Sequence, residues 1–107
     1  VGISGSTIYA MKDIRIGDNT FIGVNCKIVD SDFHAFDVGL YFSTDPRHMK
    51  MKPVSIGKNC FIGMNSIILK GTVIGDNSIV GAGSVVSGHF PENVVIAGNP
   101  ARIIKYR

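Results

Sequence analysis

Aliphatic residues recur every six positions along this chain, and the spacing predicts one short strand per repeat. The hexads start at Ile16, Ile22 and Ile28, then at Ile56, Ile62, Ile68, Ile74, Val80 and Val86, and every start is Ile or Val. The second position is Gly in six of the nine hexads and the fourth is Asn or Gly in seven: Asn19, Asn25, Asn59, Asn65, Gly71, Asn77 and Gly83. Such residues tolerate the positive φ of a tight corner. The fifth is Thr, Cys or Ser in seven, small enough to stack inside a narrow prism. A six-residue unit cannot bury its own apolar face, but stacked units can, and this period is a signature of a parallel β-helix. Three hexads close one triangular coil, which predicts coils over 16–33, 56–73 and 74–91. A β-sandwich would alternate with period two and vary its turn spacing. Upstream, Ile8 and Ile14 are six apart but out of phase with Ile16, so residues 1–15 read as an irregular partial coil.

The cadence breaks between Ile28 and Ile56, whose separation of 28 is four more than a multiple of six. Residues 34–55 are therefore expected to leave the helix as an extruded loop, and Asp37, Gly39, Asp45, Pro46 and Pro53 suit one. A scaffold gains nothing from interrupting its stack. An excursion this long inside a compact repeat commonly binds or gates something.

Composition narrows the classes. The chain has 107 residues, 45% of them hydrophobic and 18% charged, which suits a single domain over 1–107 with a modest core. The apolar runs of four or five residues are too short to span a membrane. With no secretory leader the default expectation is the cytoplasm. The opening Val1, in place of Met, suggests the C-terminal part of a longer chain. Cys26 and Cys60 both occupy the small inward slot and are expected to be reduced core residues. The net charge of +3 comes without a basic helix or interleaved aromatics, which argues against nucleic acid. A γ-carbonic-anhydrase-type zinc site needs three imidazoles on one metal. His34, His48 and His89 are 14 and 41 residues apart, so no metal is expected. His48, in a basic loop tip, and His89, in a turn slot that elsewhere holds Asn or Gly, are assigned no chemistry.

The hexads, the Asp30-Ser31-Asp32 stretch leading to His34 at the loop mouth, and the closing run from Pro91 through Ala97-Gly98-Asn99-Pro100-Ala101 to Lys105 resemble the left-handed β-helix acyltransferases. The resemblance is to the galactoside and maltose O-acetyltransferase branch and relatives acting on polysaccharide sugars. It covers the chain from about Gly5 onward and marks 91–107 as a C-terminal cap. It implies a left-handed parallel β-helix, a homotrimer with active sites between subunits, and acetyl-CoA as co-substrate for a small sugar or glycan acceptor. His34 matches the general base, for which imidazole is suited because its pKa lies near working pH. Asp32, Asp37 or a backbone carbonyl could orient it, and Asp30 and Asp32 could equally cap the turn where the chain leaves the coil. Position by position, Met64 matches a groove-lining residue, Ala82 a backbone contact to the pantetheine arm, Ser87 a hydroxyl contact, and Lys105 with its neighbour Arg102 the basic cofactor contacts. Gly88 departs from the pattern, since many relatives carry lysine there, so phosphate binding is expected to lean on Arg102, Lys105 and Arg107. Ser6, ten residues before Ile16, matches a polar acceptor-contacting position, and Asp32 is a second acceptor-side candidate. Alternatives on the same scaffold are N-acetylation of an amino sugar, acetylation of an antibiotic, and a non-catalytic β-solenoid trimerisation module.

Overall fold

The computed structural model describes residues 2–32, 39, 45, 47 and 50–107. Its strands wind round three sides of a prism. The first coil is β1 (Gly2–Ile3), β2 (Thr7–Tyr9) and β3 (Ile14–Ile16), and the second is β4 (Phe21–Ile22), β5 (Lys27–Val29) and β6 (Val54–Ile56). The third is β7 (Phe61–Ile62), β8 (Ile67–Ile68) and β9 (Val73–Ile74); the fourth is β10 (Ile79–Val80), β11 (Val85–Val86) and β12 (His89–Phe90). Corresponding sides stack into three sheets: A in the order β1-β4-β7-β10, B in the order β2-β5-β8-β11 and C in the order β3-β6-β9-β12. All of these pairings are parallel, as a helix of coils requires. Sheet A continues into β13 (Val94–Gly98), and β14 (Ala101–Tyr106) folds back antiparallel on it, closing the C-terminal end as a hairpin.

Each repeat slot has a distinct physical job. The hexad starts from Ile22 to Val86 point inward and are at most 2% exposed, each contributing about 1.5–3 kcal/mol through burial. All seven Asn or Gly residues of the fourth slot adopt φ between 56° and 76°. The second-slot glycines answer a different need. A Cβ on Gly63 would stand 2.6 Å from the Ala82 nitrogen of the next coil, and one on Gly17 would stand 2.6 Å from the Gly57 carbonyl carbon. Neighbouring coils approach too closely there for any side chain. The fifth-slot residues satisfy corner backbone groups that the strand ladders leave over. Thr20 donates its hydroxyl to the Gly57 carbonyl at 2.6 Å and accepts from the Cys60 N–H at 3.1 Å. Cys26 and Cys60 fill the same slot at different corners of the prism, buried and unbridged, as expected. Burial pushes the Cys60 thiol above its ordinary pKa.

Three details differ from the hexad reading. Residues 2–16 form a complete three-sided coil, not an irregular partial one, because Ile3, Ile8 and Ile14 continue the inward columns of Ile22, Ile28 and Val54. Only the corner lengths vary. The extruded segment ends earlier than residue 55: an antiparallel Ser31–Met51 bridge closes its root, and Val54 is fully buried in β6. His89 occupies no turn slot. It opens β12 opposite Val73, because Phe90 pairs with Ile74 at a spacing of 16 whereas Ile74 pairs with Ile56 at 18. The corner after β11 has therefore lost two residues, and the frame stays shifted through Asn93, whose φ of 59° places it in the fourth slot.

Candidate active site at the loop root

The loop leaves the second coil at the edge between sheets B and C. Its root is tied by backbone hydrogen bonds from the Asp32 N–H to the Lys50 carbonyl at 3.2 Å and from the Lys52 N–H to the Asp30 carbonyl at 3.0 Å. Asp30 is buried beneath this root, and its carboxylate accepts the N–H groups of Met11, Lys12 and Asp13, each at 2.7 Å. Burial alone would raise its pKa, but these donors and its own N–H outweigh that and hold it below the ordinary aspartate value. Asp30 thus caps a corner, though the corner belongs to the preceding coil and not to the loop.

Asp32 faces the opposite way. Its Oδ1 accepts from Lys70 Nζ at 2.9 Å, and its Oδ2 is buried without a hydrogen-bond partner among the described residues. An open carboxylate oxygen at the mouth of the loop is able to accept one further donor. His34, the expected base, lies outside the described residues, as do Asp37 and His48.

Beside the root runs a cleft of about 480 Å³. Among the described residues it is lined by Lys52, Pro53, Lys70, Gly71, Val73, Ser87, Gly88 and His89. The two-residue shortening opens it: four residues, 69–72, turn the third coil from β8 to β9, whereas Ser87 and Gly88 alone turn the fourth from β11 to β12. Gly88 has φ of +106°, which L side chains rarely adopt, and a Cβ there would meet nothing within 4 Å. Lys52 and Lys70, absent from the expected site, belong to this cleft. Their signal was the spacing: 52, 70 and 88 are 18 residues apart, one full coil each.

The other expected residues stand on the next edge of the prism, between sheets A and B. Met64, 51% exposed, accepts the Gly83 N–H at 2.8 Å and stacks beside exposed Ala82. Arg102 pairs with Ala97, whose Cβ would lie 3.0 Å from a Cβ on Gly81. Lys105 is opposite Val95 on sheet A, and Arg107 donates to the Asn77 carbonyl at 2.8 Å. Within one chain, then, Ser87 and Asp32 share the B–C edge, while Met64, Ala82 and Arg102 share the A–B edge. Ser6 lies on the A–B edge too, in the first coil, but its side chain is turned inward. It fills the small-residue column, donating to the Gly23 carbonyl at 2.6 Å and accepting from the Cys26 N–H, in the manner of Thr20. No helix of the described residues is long and apolar enough to cross a membrane.

Comparison with known proteins agrees with this fold. Residues 13–29 and 53–87 match the family model described as the hexapeptide repeat of succinyl-transferase. The galactoside O-acetyltransferase of Escherichia coli K12 is 37% identical over 110 residues, covering 88% of this chain and 54% of its own length. A galactoside acetyltransferase solved in complex with coenzyme A superposes with a TM-score of 0.83 at 37% identity, over 94% of this chain and 48% of that one. The N-acyltransferase AntD of Bacillus cereus, solved with dTDP-4-amino-4,6-dideoxyglucose and coenzyme A, superposes with a TM-score of 0.85 at 27% identity, over 98% and 58%. The chain spans about half the length of the curated relatives it matches.

Proposed function

This chain belongs to the hexapeptide-repeat acetyltransferase family, built as a left-handed β-helix, and from that premise we propose that it transfers the acetyl group of acetyl-CoA to a hydroxyl of a sugar or polysaccharide precursor. The observation that carries the proposal is the 37% identity, over nearly the whole described fold, to an acetyltransferase that binds coenzyme A. In the reaction, His34 takes the acceptor proton as the oxygen attacks the thioester carbonyl. The C–O bond forms, the C–S bond breaks, and the leaving thiolate recovers the proton from the imidazolium. No covalent enzyme intermediate is needed. The open Oδ2 of Asp32 offers a position for holding the second imidazole nitrogen or an acceptor hydroxyl.

The split of candidate residues between two edges of the prism supports assembly as a homotrimer, in which one copy's B–C edge faces another copy's A–B edge. Sheet A favours this arrangement because it exposes apolar area unusual for a lone chain. Phe21 and Phe61, 41% and 47% exposed, stack at 5.5 Å on its outer face near Val24 and Met64. Met64, Ala82, Arg102 and Lys105 would then line the coenzyme side, with Ser87 facing them. A reaction that consumes acetyl-CoA places the protein in the cytoplasm. The fold shared with AntD favours a second reading, in which the acceptor is the amine of an amino sugar and the same base acts.

The test is acetyl transfer from acetyl-CoA to a panel of sugars, followed by thiol release, with the wild type and His34→Ala. The variant is expected to keep its fold and assembly while turnover falls by about two to four orders of magnitude. Full activity in His34→Ala would end the proposed mechanism.

A further inference from the structure

We infer that the cleft on the B–C edge is a binding site for a phosphate ester, with Lys52 and Lys70 holding the anion. Three successive coils build it. Lys52 comes from the second coil, Lys70 from the third, and Ser87, Gly88 and His89 from the fourth, while no carboxylate lines the cleft among the described residues. The lysines are placed by packing. A Cβ on Gly71 would stand 3.2 Å from Lys52 Cδ, so the Lys52 stem lies along that glycine at the wall of the cleft. Lys52 forms no ion pair among the described residues. Lys70 lines the cleft, and its ammonium sits 2.9 Å from Asp32 Oδ1.

Two lysines and a serine lining one cleft suit a tetrahedral polyanion, for which lysine serves as a mobile point charge. The volume leaves room for an ester as well as a free ion: about 480 Å³ falls in the range of pockets for organic ligands, about 300–1,000 Å³. Pro53 and Val73 supply apolar wall for the organic part. The missing two residues of the fourth corner create the space, and Gly88 leaves it open. Through its ion pair with Asp32, Lys70 then links the anion to the root of the loop.

The phosphate could belong to the coenzyme or to a phosphorylated acceptor. This choice of source rests on the acetyl-transfer reading, whereas the anion site itself does not. The experiment is calorimetric titration at low salt with inorganic pyrophosphate and, separately, with coenzyme A. The proteins are the wild type, Lys52→Gln, Lys70→Gln and, as a control on a different edge, Lys58→Gln. Pyrophosphate is expected to bind the wild type and Lys58→Gln alike, to bind each cleft variant about tenfold more weakly, and to lose affinity as salt rises. Equal weakening of coenzyme A would assign the phosphate to the coenzyme, and unchanged coenzyme A affinity would assign it to the acceptor. Loss of pyrophosphate affinity in a protein that binds no coenzyme A would keep the anion site and sink the acetyl-transfer reading. Absence of pyrophosphate binding, or equal binding by all four folded proteins, would overturn the inference.

Discussion

Replacing Asp30 by Asn should loosen the 11–13 corner of the first coil by removing one negative charge from a buried nest of N–H groups. The wild-type carboxylate accepts three backbone donors at 2.7 Å, Met11 on Oδ1 and both Lys12 and Asp13 on Oδ2. An amide has only one acceptor oxygen, so its NH2 group must face at least one of these donors. One buried N–H left without an acceptor costs about 1–3 kcal/mol, and replacing charged by neutral hydrogen bonds at the others adds about 1 kcal/mol. The expected loss is thus about 2–4 kcal/mol. The pH dependence carries a definite sign. Because the folded pKa lies below the unfolded one, the carboxylate's contribution is complete above the unfolded value, about 3.9, and disappears as pH falls through it toward the folded value. Urea denaturation followed by circular dichroism, at one protein concentration and from pH 7 to pH 3, reads both effects. The gap between wild type and Asp30→Asn should be widest near pH 7 and shrink below about pH 4. Equal midpoints at pH 7 would refute the anchoring role, and a gap constant down to pH 3 would show that shape, not charge, matters at this position.

Other outcomes follow from the slot chemistry. Gly63→Ala should destabilise by about 1–3 kcal/mol, since its Cβ meets next-coil backbone that cannot swing aside. Gly83→Asn, at φ +71° with open space around it, should change stability by less than about 0.5 kcal/mol; thermal melts of the pair separate close approach from φ demand. Neither Cys26 nor Cys60 should react with a disulfide reagent in the native protein, and both should react in denaturant. Fast native labelling would contradict the packed small-residue columns. Lys105→Gln should weaken coenzyme A binding about tenfold without lowering the melting temperature, and equal affinity by calorimetry would remove Lys105 from the coenzyme side.

The repeat itself was legible in the chain. Ile or Val at each hexad start, Asn or Gly at the fourth position and a small residue at the fifth each respond to a force acting within one coil or its immediate neighbours, so a fixed period reports them. The loop was legible for the same reason, as a break in that period, and so was the reduced, buried state of Cys26 and Cys60. Other features depend on which coil lies above which. Ile3, Ile8 and Ile14 look out of phase along the chain, yet pairing with β4, β5 and β6 aligns them, because corners can change length while the inward columns persist. His89 likewise left its apparent slot because Phe90, not residue 92, met Ile74. Asp30 found its three donors 17 to 19 residues upstream, across a coil boundary. Lys52, Lys70 and Gly88 gained a shared cleft through stacking alone: residues one coil apart lie far apart along the chain but become neighbours when parallel strands stack about 4.8 Å apart. The sequence by itself determined the unit and its slots. Only the tertiary structure decided the register, because register depends on corner lengths and pairing partners that no single hexad contains.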